Sequence, residues 1–361
     1  MKKIAYYITA HGYGHGARAS DILNALHTAA PEIPIMIKTD LPEAFMRSRI
    51  PASIELRSGA FDVGLIQKDS IRVDLEASLA ALEQLYASES ELIQQEIEFL
   101  RTENIGVVVA DVPAIPLAAA QQLGLPNIAT SNFGWDWIYA DFVAHNPRWA
   151  FFVDKFRTVY QQTDLLLRQP FSEPMEAFPR KIDLSLLAKP GINRRALIAE
   201  VSGADLEKKW VLLSFTSLLL EPPALKALAA LSDYEFFAVE PLEWPGSTVH
   251  TIARSTVCFA DVMASVDVVV TKPGFGIVSE SIANDKPIIY SDRAHFREYP
   301  VLVDCIQRYC RQAFVSNQEL YAGSLGRALK EIESAPPPRE QIEPGGAELA
   351  AQQILRSIKQ G

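Results

Sequence analysis

The sequence predicts an α/β protein built as two doubly wound parallel halves. Three observations predict it. The chain has 361 residues, more than one core usually organises. Short, continuously apolar runs alternate with helix-period segments, the pattern of strands buried on both faces. That alternation stops in a proline-bearing middle and then begins again.

In the first half, residues 4–10 form an apolar run closed by glycines and read as a buried strand. Residues 16–30 show helical spacing at Ile22, Leu23, Leu26 and Ala30. Residues 33–38 and 53–56 read as short strands, and 75–101 as one helix or a kinked pair. G-V-V-V-A at 106–110 is another buried strand. An Ala-rich helix near 116–123 and a strand at 126–130 follow. Residues 169–209 lose this rhythm, carry Pro170, Pro174, Pro179 and Pro190, and are expected to connect the halves. The second alternation has strands at 210–214, 235–239, 249–252, 266–271 and 287–290, with helical segments between. The expected division is 1–168, the connection 169–209, a second domain 210–343, and a terminal segment 344–361 whose helix packs back towards the first domain. Such βαβ units imply parallel sheets.

Composition narrows the function. Hydrophobic residues are 48% and charged residues 22%, ordinary for a folded chain. A net charge of −10 without a run of Lys and Arg argues against nucleic acid, whose binders need a basic stripe. Cys258, Cys305 and Cys310 form neither an even set nor a C-x-x-C pair, as expected of reduced thiols in a cytoplasmic protein. The apolar start is ended by His11 and Gly12, so no export signal and no membrane span is expected.

Three loops carry the candidate chemistry. T-A-H-G-Y-G-H-G-A-R at 9–18 follows the first strand, on the side where open α/β sheets bind ligands. Gly12, Gly14 and Gly16 permit tight turns, and His11 and His15 are the residue type that takes a proton near neutral pH. Its G-x-G-x-G spacing is not the dinucleotide fingerprint, so a dehydrogenase is rejected. D-V-V-V-T-K-P-G-F-G-I-V-S-E-S-I-A at 267–283 runs from a strand through a Gly274/Gly276 turn into a helix opening near Ile277. Backbone N–H groups at such a helix start hold an anion, and Glu280 is placed to accept from two ribose hydroxyls. S-D-R-A-H-F-R-E-Y-P at 291–300 gathers Arg293, His295, Arg297 and Glu298 in the next strand-end loop. Taken singly, each loop is also compatible with an ordinary capped turn.

Together, H-G-Y-G-H-G-A-R, S-N-F-G-W-D-W-I-Y-A-D-F at 131–142 and K-P-G-F-G-I-V-S-E-S-I-A at 272–283 resemble the N-terminal glycosyltransferase-like region of plant L-arabinokinases. R-Q-P-F at 168–171 and G-G-A-E-L-A-A at 345–351 extend the likeness along nearly the whole chain. The sugar-kinase part that follows in those proteins is not in this sequence, so sugar phosphorylation is not expected. More distantly, the second motif is similar to the donor segment of the N-acetylglucosaminyltransferase that makes lipid II.

The resemblance implies the glycosyltransferase-B (GT-B) architecture, with two Rossmann-like domains facing across a cleft. The donor is expected on the second domain and the acceptor on the first. It makes His15 the catalytic base, with His11 a second candidate, and Asp111 the carboxylate that orients it. It places the donor diphosphate on Gly274, Phe275 and Gly276 and the ribose on Glu280. Gly14, Lys272, Arg293, His295 and Glu298 complete the expected donor contacts. The family's glycine-rich loop after the first strand of the second domain is replaced by S-F-T-S-L-L-L at 214–220, whose Ser214 and Thr216 are the phosphate-binding candidates. The family's glutamine-containing sugar motif is replaced by F-R-E-Y at 296–299.

Aromatic residues crowd 133–160. Most are expected to pack a pair of helices, with Trp135 and Asp136 as acceptor-side candidates. Without an Asp-x-Asp pair, no metal and no cofactor is expected. The sequence reads as a transferase using a nucleotide sugar, UDP being what the resemblance implies, on an unspecified acceptor. A nucleotide-sugar hydrolase and a non-catalytic binding module remain open alternatives.

Overall fold

The structure is a computed structural model that describes residues 1–50, 52–66, 73–215, 217–293 and 296–360. Thr216 and His295 lie outside the described residues. The chain divides into two compact units, one of residues 1–68, 73–187 and 343–361, the other chiefly of residues 188–342.

The first unit is built on seven parallel strands: β1 (Lys3–Ile8), β2 (Ile35–Lys38), β3 (Glu55–Arg57), β4 (Ile105–Asp111), β5 (Asn127–Ser131), β6 (Leu165–Arg168) and β7 (Lys181–Asp183). Their order is β3-β2-β1-β4-β5-β6-β7. β1 and β4 are mostly apolar because both faces are covered: of their residues only Lys3 escapes full burial, and Asp111 is the one buried carboxylate. The order reverses between β1 and β4, the topological switch point where open α/β sheets bind ligands. Residues 75–101 form two helices, Leu75–Ala87 and Glu89–Thr102, divided at Ser88. The helix Gly346–Gln360 belongs to this unit. Its Ala347, Ala350, Ala351, Ile354 and Ile358 recur on one helical face and join the core beneath the helix Tyr13–Ala29. Burying a side chain such as Ile354 contributes about 1.5–3 kcal/mol.

The first unit runs further than the expected boundary at 168. Pro170, Pro174 and Pro179 lie in an excursion between β6 and β7, where Phe171 and Met175 take left-handed backbone conformations, and β7 then returns to the sheet. The expected connection 169–209 is therefore shared between the two units instead of standing apart.

The second unit holds β8 (Lys209–Ser214), β9 (Tyr234–Val239), β10 (His250–Ile252), β11 (Val268–Thr271), β12 (Ile288–Ser291) and β13 (Gln312–Val315), in the order β10-β9-β8-β11-β12-β13. All its pairings are parallel, and separate apolar clusters pack against the sheet, one around Val211, Leu213, Val268 and Val270, the other around Leu212, Phe237 and Val269. Its switch point falls between β8 and β11. No helix among the described residues is long and apolar enough to cross a membrane.

Candidate active site

In the first unit the helix after β1 opens at Tyr13, three residues earlier than the glycines suggest. Gly12 is extended at its N-cap, and no side chain caps it. His15 is therefore a first-turn helical residue and not a loop residue. Its side chain is turned inward, 7% exposed, over the end of β4. There Nδ1 of His15 lies 2.8 Å from Oδ2 of Asp111, the last residue of β4. Arg18, one turn along the same helix, donates through Nη1 to Oδ1 of Asn132 at 2.8 Å. Its Nη2 sits 2.6 Å from Nδ1 of His15 and 3.3 Å from Oδ1 of Asp111. Burial holds the imidazole below its ordinary pKa and the Arg18 charge adds to this, while Asp111 opposes both.

The residue after Asp111 is strained. Val112 has φ 75°, a conformation costly for a β-branched side chain, of order 1–3 kcal/mol. Its carbonyl accepts from the buried Tyr160 hydroxyl at 2.8 Å, which helps hold the turn beneath the Asp111 carboxylate.

Segment 58–66 lies alongside the same strand ends. Asp62 Oδ2 accepts from Trp135 Nε1 at 2.9 Å, and the Tyr139 hydroxyl donates to the Val63 carbonyl at 2.6 Å. Gly64 rests against the ring of His11, where a Cβ would collide with the imidazole. Burial pushes the Asp62 carboxyl up to about 7, against the hydrogen bonds from Trp135 and Thr9. Trp135 is buried, its ring 5.6 Å from His11 and stacked on Tyr139. Trp149, Phe152, Phe156 and Tyr160 are core residues as well, whereas Phe151 is exposed. Asp136 folds back beneath Gly134 and lies 3.8 Å from Nε of Arg157.

In the second unit, β11 ends at Thr271, whose hydroxyl donates to the Ser214 carbonyl at the end of β8. The next helix is Phe275–Ala283, opening two residues before Ile277. Gly274 is its extended N-cap, and a Cβ there would meet nothing closer than 3.9 Å. Its glycine thus leaves the helix start uncovered by any side chain of its own. Lys272 and Arg293 flank this start and line one depression, together with Phe215, Ser217, Ser291, Asn317 and Tyr321. Arg293 Nη1 donates to the Pro273 carbonyl at 3.1 Å, and its guanidinium lies over Phe296. Burial, then the Arg293 charge, brings Lys272 down to about 8. Burial brings Arg293 down to about 10, with the buried Glu298 opposing. Glu280 is half-buried one turn into the helix. Two desolvated cations beside a helix start are an arrangement that can hold an anion.

No known family model matches the chain. The L-arabinokinase of Arabidopsis thaliana is 28% identical over 355 residues, 96% of this chain, and the match falls on its N-terminal part. The chain spans about a third of that relative's length. Among solved structures, the glycosyltransferase of kitacinnamycin matches at TM-score 0.60 and 17% identity, covering 98% of each chain. A UDP-glucosyltransferase from Polygonum tinctorium, capable of glucosylating indoxyl, matches at TM-score 0.62 and 13% identity, covering 99% of this chain and 98% of its own. With the two switch-point sheets, these matches decide the architecture. The chain has the GT-B fold.

Within this GT-B chain, the first unit brings His11, His15, Asp111 and Trp135 to one set of strand ends. The second brings Ser214, Lys272, Gly274, Phe275, Gly276, Glu280, Arg293 and Glu298 to another. Gly14 lies in the helix start beside His15, with open space where a Cβ would stand. Sequence reasoning did not single out Arg18, Asp62, Asn132 or Val112. Arg18 was signalled by H-x-x-R spacing on a helix, and Asn132 by its place in S-N-F-G-W. Asp62, in an unpatterned G-A-F-D-V-G, carried no signal.

Proposed function

We propose that this chain is a glycosyltransferase that binds a nucleotide-sugar donor, UDP-linked, on its second unit and an acceptor hydroxyl on its first, across the cleft of the GT-B architecture. The observation that carries the reading is the buried His15–Asp111 pair at the first switch point. In its neutral form with Nδ1–H donated to Asp111, His15 has a lone pair on Nε2 to accept the acceptor's proton. Its depressed pKa keeps it uncharged below the usual histidine range. The acceptor oxygen then bonds to the sugar's anomeric carbon as the bond to the diphosphate breaks.

Charge developing on the diphosphate is met by the N–H groups at the start of Phe275–Ala283 and by Lys272 and Arg293. This positive environment supports departure without a metal. Glu280 accepts from the ribose hydroxyls. The UDP-glucosyltransferase likeness supports the choice of base, and the chain's likeness to part of L-arabinokinase supports sugar chemistry.

The test is calorimetry against UDP, GDP, ADP and dTDP, followed by turnover with the matching sugar donors. UDP binding that is lost in Glu280→Ala, with sugar transferred to an added hydroxylic acceptor, is the expected result. Sugar released to water at a rate no acceptor alters would make the chain a hydrolase, and tight binding without turnover a binding module. No binding of any diphosphate would remove the donor site altogether.

A further inference from the structure

His15 and Arg18 are three residues apart in the helix Tyr13–Ala29, so both leave one face of it a turn apart. Both are buried. Nδ1 of His15 is approached by Asp111 Oδ2 at 2.8 Å and by Arg18 Nη2 at 2.6 Å. One ring nitrogen thus faces an obligate donor and an acceptor at once. Guanidinium has no acceptor and keeps its protons, and an ionised carboxylate has no hydrogen to give.

Nδ1 satisfies only one of the two. Carrying hydrogen, it donates to Asp111 and leaves the lone pair on Nε2. Without hydrogen, it accepts from Arg18, and the ring hydrogen resides on Nε2. Only the first form takes up a proton at Nε2.

We propose that Arg18 is a positioning residue that competes with Asp111 for Nδ1 of His15, and so sets how much of the imidazole is poised as a base. Its catalytic meaning rests on the reading of His15 as the base. The geometry makes the competition a built feature. Asn132 holds Nη1 at 2.8 Å, and Nη2 also reaches Oδ1 of Asp111 at 3.3 Å, so the guanidinium is clamped from β4 and from the turn after β5. Among the described residues, the ring contacts of the imidazole are the His11 ring at 6.4 Å and Phe133 at 5.6 Å. Neither gives Nδ1 another partner. The Arg18 charge also opposes protonation of the ring.

The experiment is long-range 15N–1H correlation spectroscopy of histidine-labelled protein without nucleotide, with His15 assigned through His15→Gln. Wild-type protein is expected to show His15 populating the Nε2–H form. Arg18→Met should collapse it to the Nδ1–H form and raise its titration midpoint by about one pH unit, a tenfold change in proton affinity. Arg18→Lys, which keeps the charge but loses the fork, should shift the tautomer while leaving the midpoint low.

The same tautomer and midpoint in wild type and Arg18→Met would overturn the proposal and leave Arg18 a structural residue, whatever the variant does to activity. If Arg18→Met does not fold, Asn132→Ala keeps the cation and frees Nη1. A tautomer shift there supports the competition, and none overturns it. Since no donor or acceptor is present, these spectra stand or fall separately from the transferase reading.

Discussion

The two switch points share one topology and have opposite chemistry. Both sheets run in the same relative order through six strands, and in both the candidate residues follow the two strands where that order reverses or the strand next to them. At the first, His15, Arg18, Asp111 and Asn132 gather out of water, with Phe133 against the imidazole. At the second, Gly274 sets no side chain of its own over a helix start, and two cations stand beside it. Proton handling needs a dry group held in one orientation, whereas anion binding needs donors that a ligand can reach. Topology supplies the place, and the side chains just beyond it supply the chemistry.

The contrast breaks most sharply at His15. His15→Ala is expected to lower transfer roughly 10²–10⁴-fold, the usual contribution of a general base, while UDP affinity measured by calorimetry stays unchanged. Turnover surviving within tenfold would move the base elsewhere.

Lys272 sharpens the other side. Lys272→Met should weaken UDP binding about tenfold at pH 7, as loss of a charge-assisted contact does. Because the lysine is held at about 8, wild-type affinity should fall as pH rises from 7 to 9, as the ammonium of the free protein discharges. The variant should lack that slope, and an equal slope in both would assign it to another group.

The last effect is on stability and leaves turnover aside. Folded Asp62 holds its proton up to about 7, whereas an unfolded aspartate releases it near 3.8. Stability from this group is therefore full below the lower value and is lost as pH rises to the upper one. Asp62→Asn cannot titrate, so relative to wild type it should gain about 4 kcal/mol between pH 4 and pH 8, the equivalent of a shift of about three pH units. Urea unfolding at both pH values measures this, and equal differences at the two would place Asp62 in an ordinary carboxylate setting. His15 contributes with the opposite sign: its folded pKa is depressed, so its contribution falls as pH drops below 6.5.

The buried strands were legible because a run such as 106–110 has no polar face to confuse its period. β6, β7 and β13 were missed, being short, and β7 and β13 partly exposed. Both site helices begin earlier than expected, since glycines read as loop until an extended N-cap is seen to lead into the helix. His15, Lys272, Gly274 and Glu280 were visible because local spacing places them within a few residues of a strand end or in the helix that follows it, and such spacing is local.

What sequence alone determined was therefore the parallel α/β class and which short segments bear chemistry, both written in periods of a few residues. Tertiary structure alone decided the partnerships. Asp111 meets a histidine 96 positions away, Arg18 clamps an asparagine 114 away, and Trp135 bonds a carboxylate 73 away. Whether a histidine is buried beside a cation, or an aspartate kept from water until its proton stays, depends on which strand ends the sheet brings side by side. No local pattern encodes that, because desolvation and charge act through space and not along the chain.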